Sequence, residues 1–145
     1  LEVSEGRRVG MLHGTLHIFR DHPVLGTGLG TLQEVYPRYE TVFDGLIVNH
    51  SHNDYAEALA ETGAIGGLCF FVFLALLYWR AWKVFFADQN HQNLAYHAGA
   101  IVACSGLLIH AFVDFNFHIP SNALLFLVQA VLATTVLPSS SERAR

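Results

Sequence analysis

Residues 50 to 54 read His50-Ser51-His52-Asn53-Asp54, directly after the apolar run Leu46-Ile47-Val48. Two imidazoles and a carboxylate at alternate positions can do chemistry in more than one way. A metal-binding reading takes His50, His52 and Asp54 as ligands, in the H-x-H-x-D-H alternation of binuclear metallo-hydrolases, with Tyr55 where that alternation needs its last histidine. An interfacial histidine pair would do no chemistry at all. A third reading starts from helix geometry. Ser51 followed by Asp54 is a capping-box-like start, Asn53 is a second candidate N-cap, and Ala56, Leu59, Ala60 and Gly63 then run along a helix. The helix dipole at that point favours anions and disfavours a protonated imidazole, which keeps His52 neutral and able to accept a proton. An anion site beside a neutral base suits glycosyl or phosphoryl transfer.

Other groups could join such a site. Arg7 and Arg8 open a helix whose apolar positions Val9, Leu12, Leu16 and Phe19 share one face, and which should stop by about His22, because Pro23 follows. Gly26, Gly28 and Gly30 alternate, a spacing that lets backbone N–H groups approach an anion, or else makes a flexible turn. It is no dinucleotide fingerprint, since no strand precedes it and Thr31 does not continue the glycine pattern. Tyr36-Pro37-Arg38-Tyr39 adds a further arginine. Glu57 and Glu61, one turn apart, are expected to form a solvated face. His110 and Asp114 stand four apart at one end of an apolar segment, so they share a helical face, either functional or simply solvated. His97 is expected to be structural.

The elements that position these groups follow from how charge is distributed. The 145-residue chain is 52% hydrophobic and 14% charged, against about 25% charged in ordinary soluble domains. Its charges crowd into residues 1–62, while 18 uncharged residues separate Glu61 from Arg80, 25 separate Asp88 from Asp114 and 27 separate Asp114 from Glu142. This predicts an all-α integral membrane protein. Residues 1–62 form an extracytoplasmic loop with short helices, residues 63–138 hold three membrane spans (63–80, 94–113 and 121–137), and 139–145 form a cytoplasmic tail. Ser121 or Asn122, just after Pro120, should start the third span and Pro138 should stop it. Arg80 and Lys83 lie between spans one and two, Arg143 and Arg145 after span three, and their shared side is cytoplasmic by the positive-inside rule. The net charge of −4 without a basic run argues against nucleic acid. Cys69 and Cys104, inside apolar stretches, read as buried fillers. The first 20 residues do not read as a secretory signal, and no internal repeat or long low-complexity tract is expected apart from the short Ser139-Ser140-Ser141 run. With Leu1 in place of an initiator, the chain is expected to be a piece of something longer.

The combination resembles the bacterial O-antigen ligase and polymerase family. Its ligases carry His, then Asn, Ser or Gln, nine residues, Gly, two residues, and Gly, Thr or Tyr; here His52-Asn53 is followed by Asp54 to Thr62, Gly63 and, two residues on, Gly66. Phe19 to Gly30 and Tyr36-Pro37-Arg38-Tyr39 look like the family's outer loop, and Asp114 to Asn122 like its last one. The resemblance implies a polytopic inner-membrane glycosyltransferase of lipopolysaccharide and polysaccharide synthesis. Such an enzyme moves a glycan from a polyprenyl diphosphate carrier to a lipid, glycan or protein acceptor hydroxyl, without a metal or other cofactor. The essential histidine carries over to His52 and a diphosphate-binding arginine to Arg7 or Arg8. Gly26, Gly28, Gly30, Arg38, Asn53, His110 and Asp114 are the accompanying substrate-binding candidates. The family has ten or more spans, so the chain is expected to need upstream helices and to be inactive alone. The alternatives are a small non-catalytic membrane protein or degenerate gene fragment, and a metallo-hydrolase that would carry zinc.

Overall fold

The computed structural model describes residues 2–40 and 47–138. Among these residues every regular element is helical: α1 (Glu2–Asp21), α2 (Leu32–Val35), α3 (Asp54–Ala87), α4 (His91–His110) and α5 (Pro120–Thr134). They fall into two compact units, residues 1–71 with 110–118, and residues 72–109 with 119–145.

In the first unit α1 ends at Asp21, one residue before the His22-Pro23 step that forbids its continuation. Its buried face differs from the expected one. Met11, Thr15 and Ile18 are buried, with Leu32, Tyr36, Val48 and Ala60 completing the core, whereas Val9 and Leu16 are exposed. The Tyr36 ring lies against Gly14, where only a residue without a side chain leaves room for it. Thr15 suits the core because its hydroxyl donates to Met11 O at 2.8 Å, within the helix itself.

Helix α3 starts at Asp54 because Asn53 caps it: Asn53 Oδ1 accepts the N–H of Ala56 at 2.9 Å. Nine residues on, Gly63 breaks the helical path with φ 65° and ψ −168°. The N–H groups that the kink frees are answered from the loop after α1, Ala64 donating to Pro23 O at 2.8 Å and Ile65 to Val24 O at 3.3 Å. A Cβ at position 63 would collide with the Val24 carbonyl, so glycine is required there for both its conformation and its size.

In the second unit the helices meet through small residues, Ala81, Ala100 and Ala133, with Ile101, Tyr78 and Phe85 around them. His97 is fully buried and its Nδ1 lies 3.0 Å from Leu132 O, consistent with a structural residue. Cys104 is buried as expected, but Cys69 is exposed on α3.

The helices run over other residues than the expected spans. Among the described residues only α3 is long and apolar enough to cross a membrane. Helix α4 runs from His91 to His110 instead of 94–113, and its first turns carry Gln92, Asn93 and His97. Helix α5 has 15 residues and ends at Thr134, which gives about 22 Å against the ~30 Å of a hydrocarbon core. Pro120 opens α5 from within, at N1, where its missing N–H costs nothing and its fixed φ suits the helix. The expected tail 139–145, with its serines and arginines, and Leu46 lie outside the described residues.

Candidate active site

His52 precedes the cap residue of α3 and has φ 53°, the one described non-glycine residue in the left-handed region. Such a conformation costs about 1–2 kcal/mol and persists only where the surroundings impose it. They do so through the two residues that follow it. Asn53 caps α3 and donates through Nδ2 to Phe112 O at 2.9 Å, while Asp54 N–H donates to Ala111 O at 3.0 Å. The chain around His52 is thereby tied to the turn that follows α4.

That turn brings Asp114 to His52, with Oδ1 3.4 Å from Nδ1. His52 Nδ1 is buried and, among the described residues, makes no hydrogen bond of good geometry, so the Asp114 carboxylate answers it as an ion-pair partner only. Asp114 itself is held below the usual carboxylate range, first by the Phe115 N–H that donates to it at 2.9 Å and further by the His52 side chain. Phe115 meets the His52 ring edge-on, with centroids 5.0 Å apart. The expected shared face of His110 and Asp114 is not formed, because α4 stops at His110 and residues 111–114 turn away. The exposed His110 instead accepts a hydrogen bond at Nδ1 from Asn116 Nδ2.

A cleft of about 490 Å³ opens beside this pair, lined by Arg7, Arg8, Ile47, His50, His52 and Phe115 among others. A smaller hollow of about 170 Å³, lined by Ser51, Asn53 and Phe112 among others, shares Arg8 and His52 with it. Both candidate arginines therefore line the cleft that His52 lines, and Arg8 reaches both hollows. Arg38, exposed at the end of a 3₁₀ turn, is not among the lining residues.

The glycine turn takes a different part from the one its spacing suggests. Its amides point to protein acceptors: Gly26 N–H to His22 O at 3.1 Å, Gly28 N–H to Glu61 O at 2.8 Å, and Gly30 N–H to Glu61 Oε2 at 2.9 Å. Gly26 and Gly28 have positive φ, and a Cβ on Gly26 would strike the backbone of Glu61. The turn is a brace laid against α3 and leaves none of these three amides for a phosphate.

Glu57 and Glu61 are the largest departure. Expected on a solvated face, they are 1% and 4% exposed. Glu61 accepts the Gly30 and Leu32 amides with its two oxygens, at 2.9 and 3.0 Å. Glu57 Oε2 accepts from Ser51 N–H at 2.9 Å, and its Oε1 lies 2.9 Å from His50 Nδ1 and 3.2 Å from His118 Nε2. His118, which sequence reasoning did not single out, also faces Asp54 through Nδ1 at 2.8 Å. The metal-ligand alternation read along the chain, His50 with His52 and Asp54, is replaced in space by His50 with Glu57 and His118.

Fold and site together define a helical protein in which, among the described residues, one helix of membrane-spanning length and apolarity begins at a histidine–carboxylate pair and an arginine-lined cleft. The O-antigen ligase family model matches residues 2–71, and that segment is similar to the family. The match covers both arginines, the glycine brace, His52, Gly63 and Gly66, and stops before the turn that carries Asp114 and His118. No curated protein and no solved structure matches the chain.

Proposed function

We propose that the protein acts in a bacterial inner-membrane glycosyltransferase of the O-antigen ligase type. In this reading a glycan passes from a polyprenyl diphosphate carrier to the hydroxyl of a lipid, glycan or protein acceptor on the periplasmic side. His52 takes the acceptor proton, and the acceptor oxygen bonds to the anomeric carbon as the bond from that carbon to the diphosphate oxygen breaks. The diphosphate leaves with the electron pair. Arg7 or Arg8 meets its negative charge with planar, bidentate donors, where electrostatic stabilisation counts most. Asp114, held anionic, orients the imidazole through Nδ1 and leaves Nε2 for the substrate.

The observation that carries this reading is the single cleft lined by His52, Arg7 and Arg8. Base and anion-binding groups must lie within one substrate's length of each other, and these come from separate parts of the chain. The test is glycan transfer from a lipid-linked donor by the intact protein. His52→Ala should lower the rate by about 10²–10⁴-fold, the usual contribution of a positioned acid or base. Near-parent transfer by His52→Ala at equal protein level would overturn the assignment.

A further inference from the structure

Asp54 and Glu57 lie in the first turn of α3, 6% and 1% exposed. Two buried carboxylates this close cost on the order of several kcal/mol each in lost hydration unless positive charge and donors answer them. The answer comes from two histidines. His50 Nδ1 and His118 Nε2 converge on one oxygen, Glu57 Oε1, at 2.9 and 3.2 Å, and the three atoms all lie within 4.8 Å of one another. Both nitrogens of His118 face carboxylates, since Nδ1 is 2.8 Å from Asp54 Oδ1. A neutral imidazole has one N–H and can serve only one of them. The second contact calls for an extra proton or for a cation in its place.

We propose that His50 Nδ1, Glu57 Oε1 and His118 Nε2 are the ligands of a divalent metal ion of the zinc class. Two imidazoles and one carboxylate are a donor set that zinc takes, and ligand atoms about 2.0–2.1 Å from a tetrahedral ion stand about 3.3 Å from each other, close to the two separations from Glu57 Oε1, with the third pair within 4.8 Å. A +2 ion between neutral imidazoles also balances the two buried carboxylates.

The surroundings carry the second half of the argument. Metal ligands need outer partners that fix their orientation, and these are already in place. Glu57 Oε2 accepts from the Ser51 N–H at 2.9 Å and the Ser51 hydroxyl at 3.3 Å, which leaves Oε1 for the ion. Asp54 accepts from His118 Nδ1 and, through its other oxygen, from the Phe117 N–H at 3.0 Å. That holds His118 in the tautomer whose Nε2 is free to ligate. The His50 ring stacks on Phe115, with centroids 5.0 Å and planes 20° apart. The side chains of His50 and His118 are each one-third exposed, so an ion has a way in from solvent. The ion would clamp the loop at His50 to the first turn of α3 and to the segment at His118, with His52 held between its fixed ends.

The experiment is metal analysis of the intact protein purified in detergent, stripped with chelator and dialysed against micromolar zinc. One zinc per chain is expected, and cobalt(II) in its place should show the visible absorption of a four-coordinate site. His50→Ala and His118→Ala should each bring bound zinc to background, and Asp54→Asn should weaken binding by about 10–100-fold. His52→Ala should bind zinc as the parent does. Comparison is made among variants with parent-like far-ultraviolet circular dichroism, and His50→Ala, at a partly exposed site, is the least disruptive of them. Background zinc in the parent protein would overturn the proposal in favour of a doubly protonated His118. Loss of zinc in His52→Ala with retention in His118→Ala would overturn it in favour of the His50, His52 and Asp54 set.

Discussion

Asp114 Oδ1 lies 3.4 Å from His52 Nδ1, and the two meet only because the end of α4 unwinds into a turn that is hydrogen-bonded to the cap of α3. An aspartate that orients a histidine acts through it, and the two should therefore fail together. Asp114→Asn should lower glycan transfer by less than His52→Ala does, and the double variant should be no slower than His52→Ala alone. Multiplied losses in the double variant would show that Asp114 works independently of His52.

The two arginines are distinguishable. Arg8 lines both hollows beside His52 and Arg7 lines the larger one. Replacing the diphosphate-binding arginine by lysine keeps the charge and loses the planar fork, so transfer should fall even where expression does not. Arg7→Lys and Arg8→Lys measured side by side assign the role to whichever is impaired. Full activity in both would remove arginine from the mechanism.

Stability should depend on the brace against α3. Glu61→Gln keeps one carbonyl oxygen where two carboxylate oxygens each accept an amide, so a buried N–H of Gly30 or Leu32 loses its partner at a cost of about 1–3 kcal/mol. Gly63→Ala places a Cβ against the Val24 carbonyl at positive φ, and it should lower the melting temperature clearly. Gly6→Ala, in α1 with nothing within 4 Å of the new methyl, should be neutral or slightly stabilising. Thermal unfolding followed by circular dichroism in detergent compares the three. Equal melting temperatures for Gly63→Ala and Gly6→Ala would refute the steric account of the kink.

In the orientation we propose from the basic residues, Arg80 and Lys83 lie on the cytoplasmic side and α1 in the periplasm. In a background with Cys69 and Cys104 replaced by serine, a cysteine introduced at the exposed His17 should react with an impermeant thiol reagent in intact cells. One at the exposed Gln89 should not. The reverse pattern would invert the topology. The residue Asp44, which also belongs to the expected periplasmic loop, lies outside the described residues.

Local chemistry was legible where backbone sterics or a single hydrogen bond decides it. The proline after His22 ends α1, and Asn53, one of the two candidate caps, opens α3. These depend on residues a few positions apart, so the sequence by itself determined them, along with the helical class and the apolar stretch of α3. Which side of an element faces inward was another matter. Apolar spacing on α1 pointed to Val9, Leu12, Leu16 and Phe19, but the face that packs carries Gly14 and Thr15, because the Tyr36 ring needs the space beside a glycine. Periodicity rules assume that polar residues seek water, and that assumption misplaced Glu57 and Glu61. Their burial is stabilised by amides and imidazoles from distant segments, the Gly30 and Leu32 N–H groups for Glu61 and Ser51, His50 and His118 for Glu57. Only the tertiary structure could decide this, since a carboxylate's preference for water or protein depends on donors that no local pattern reveals.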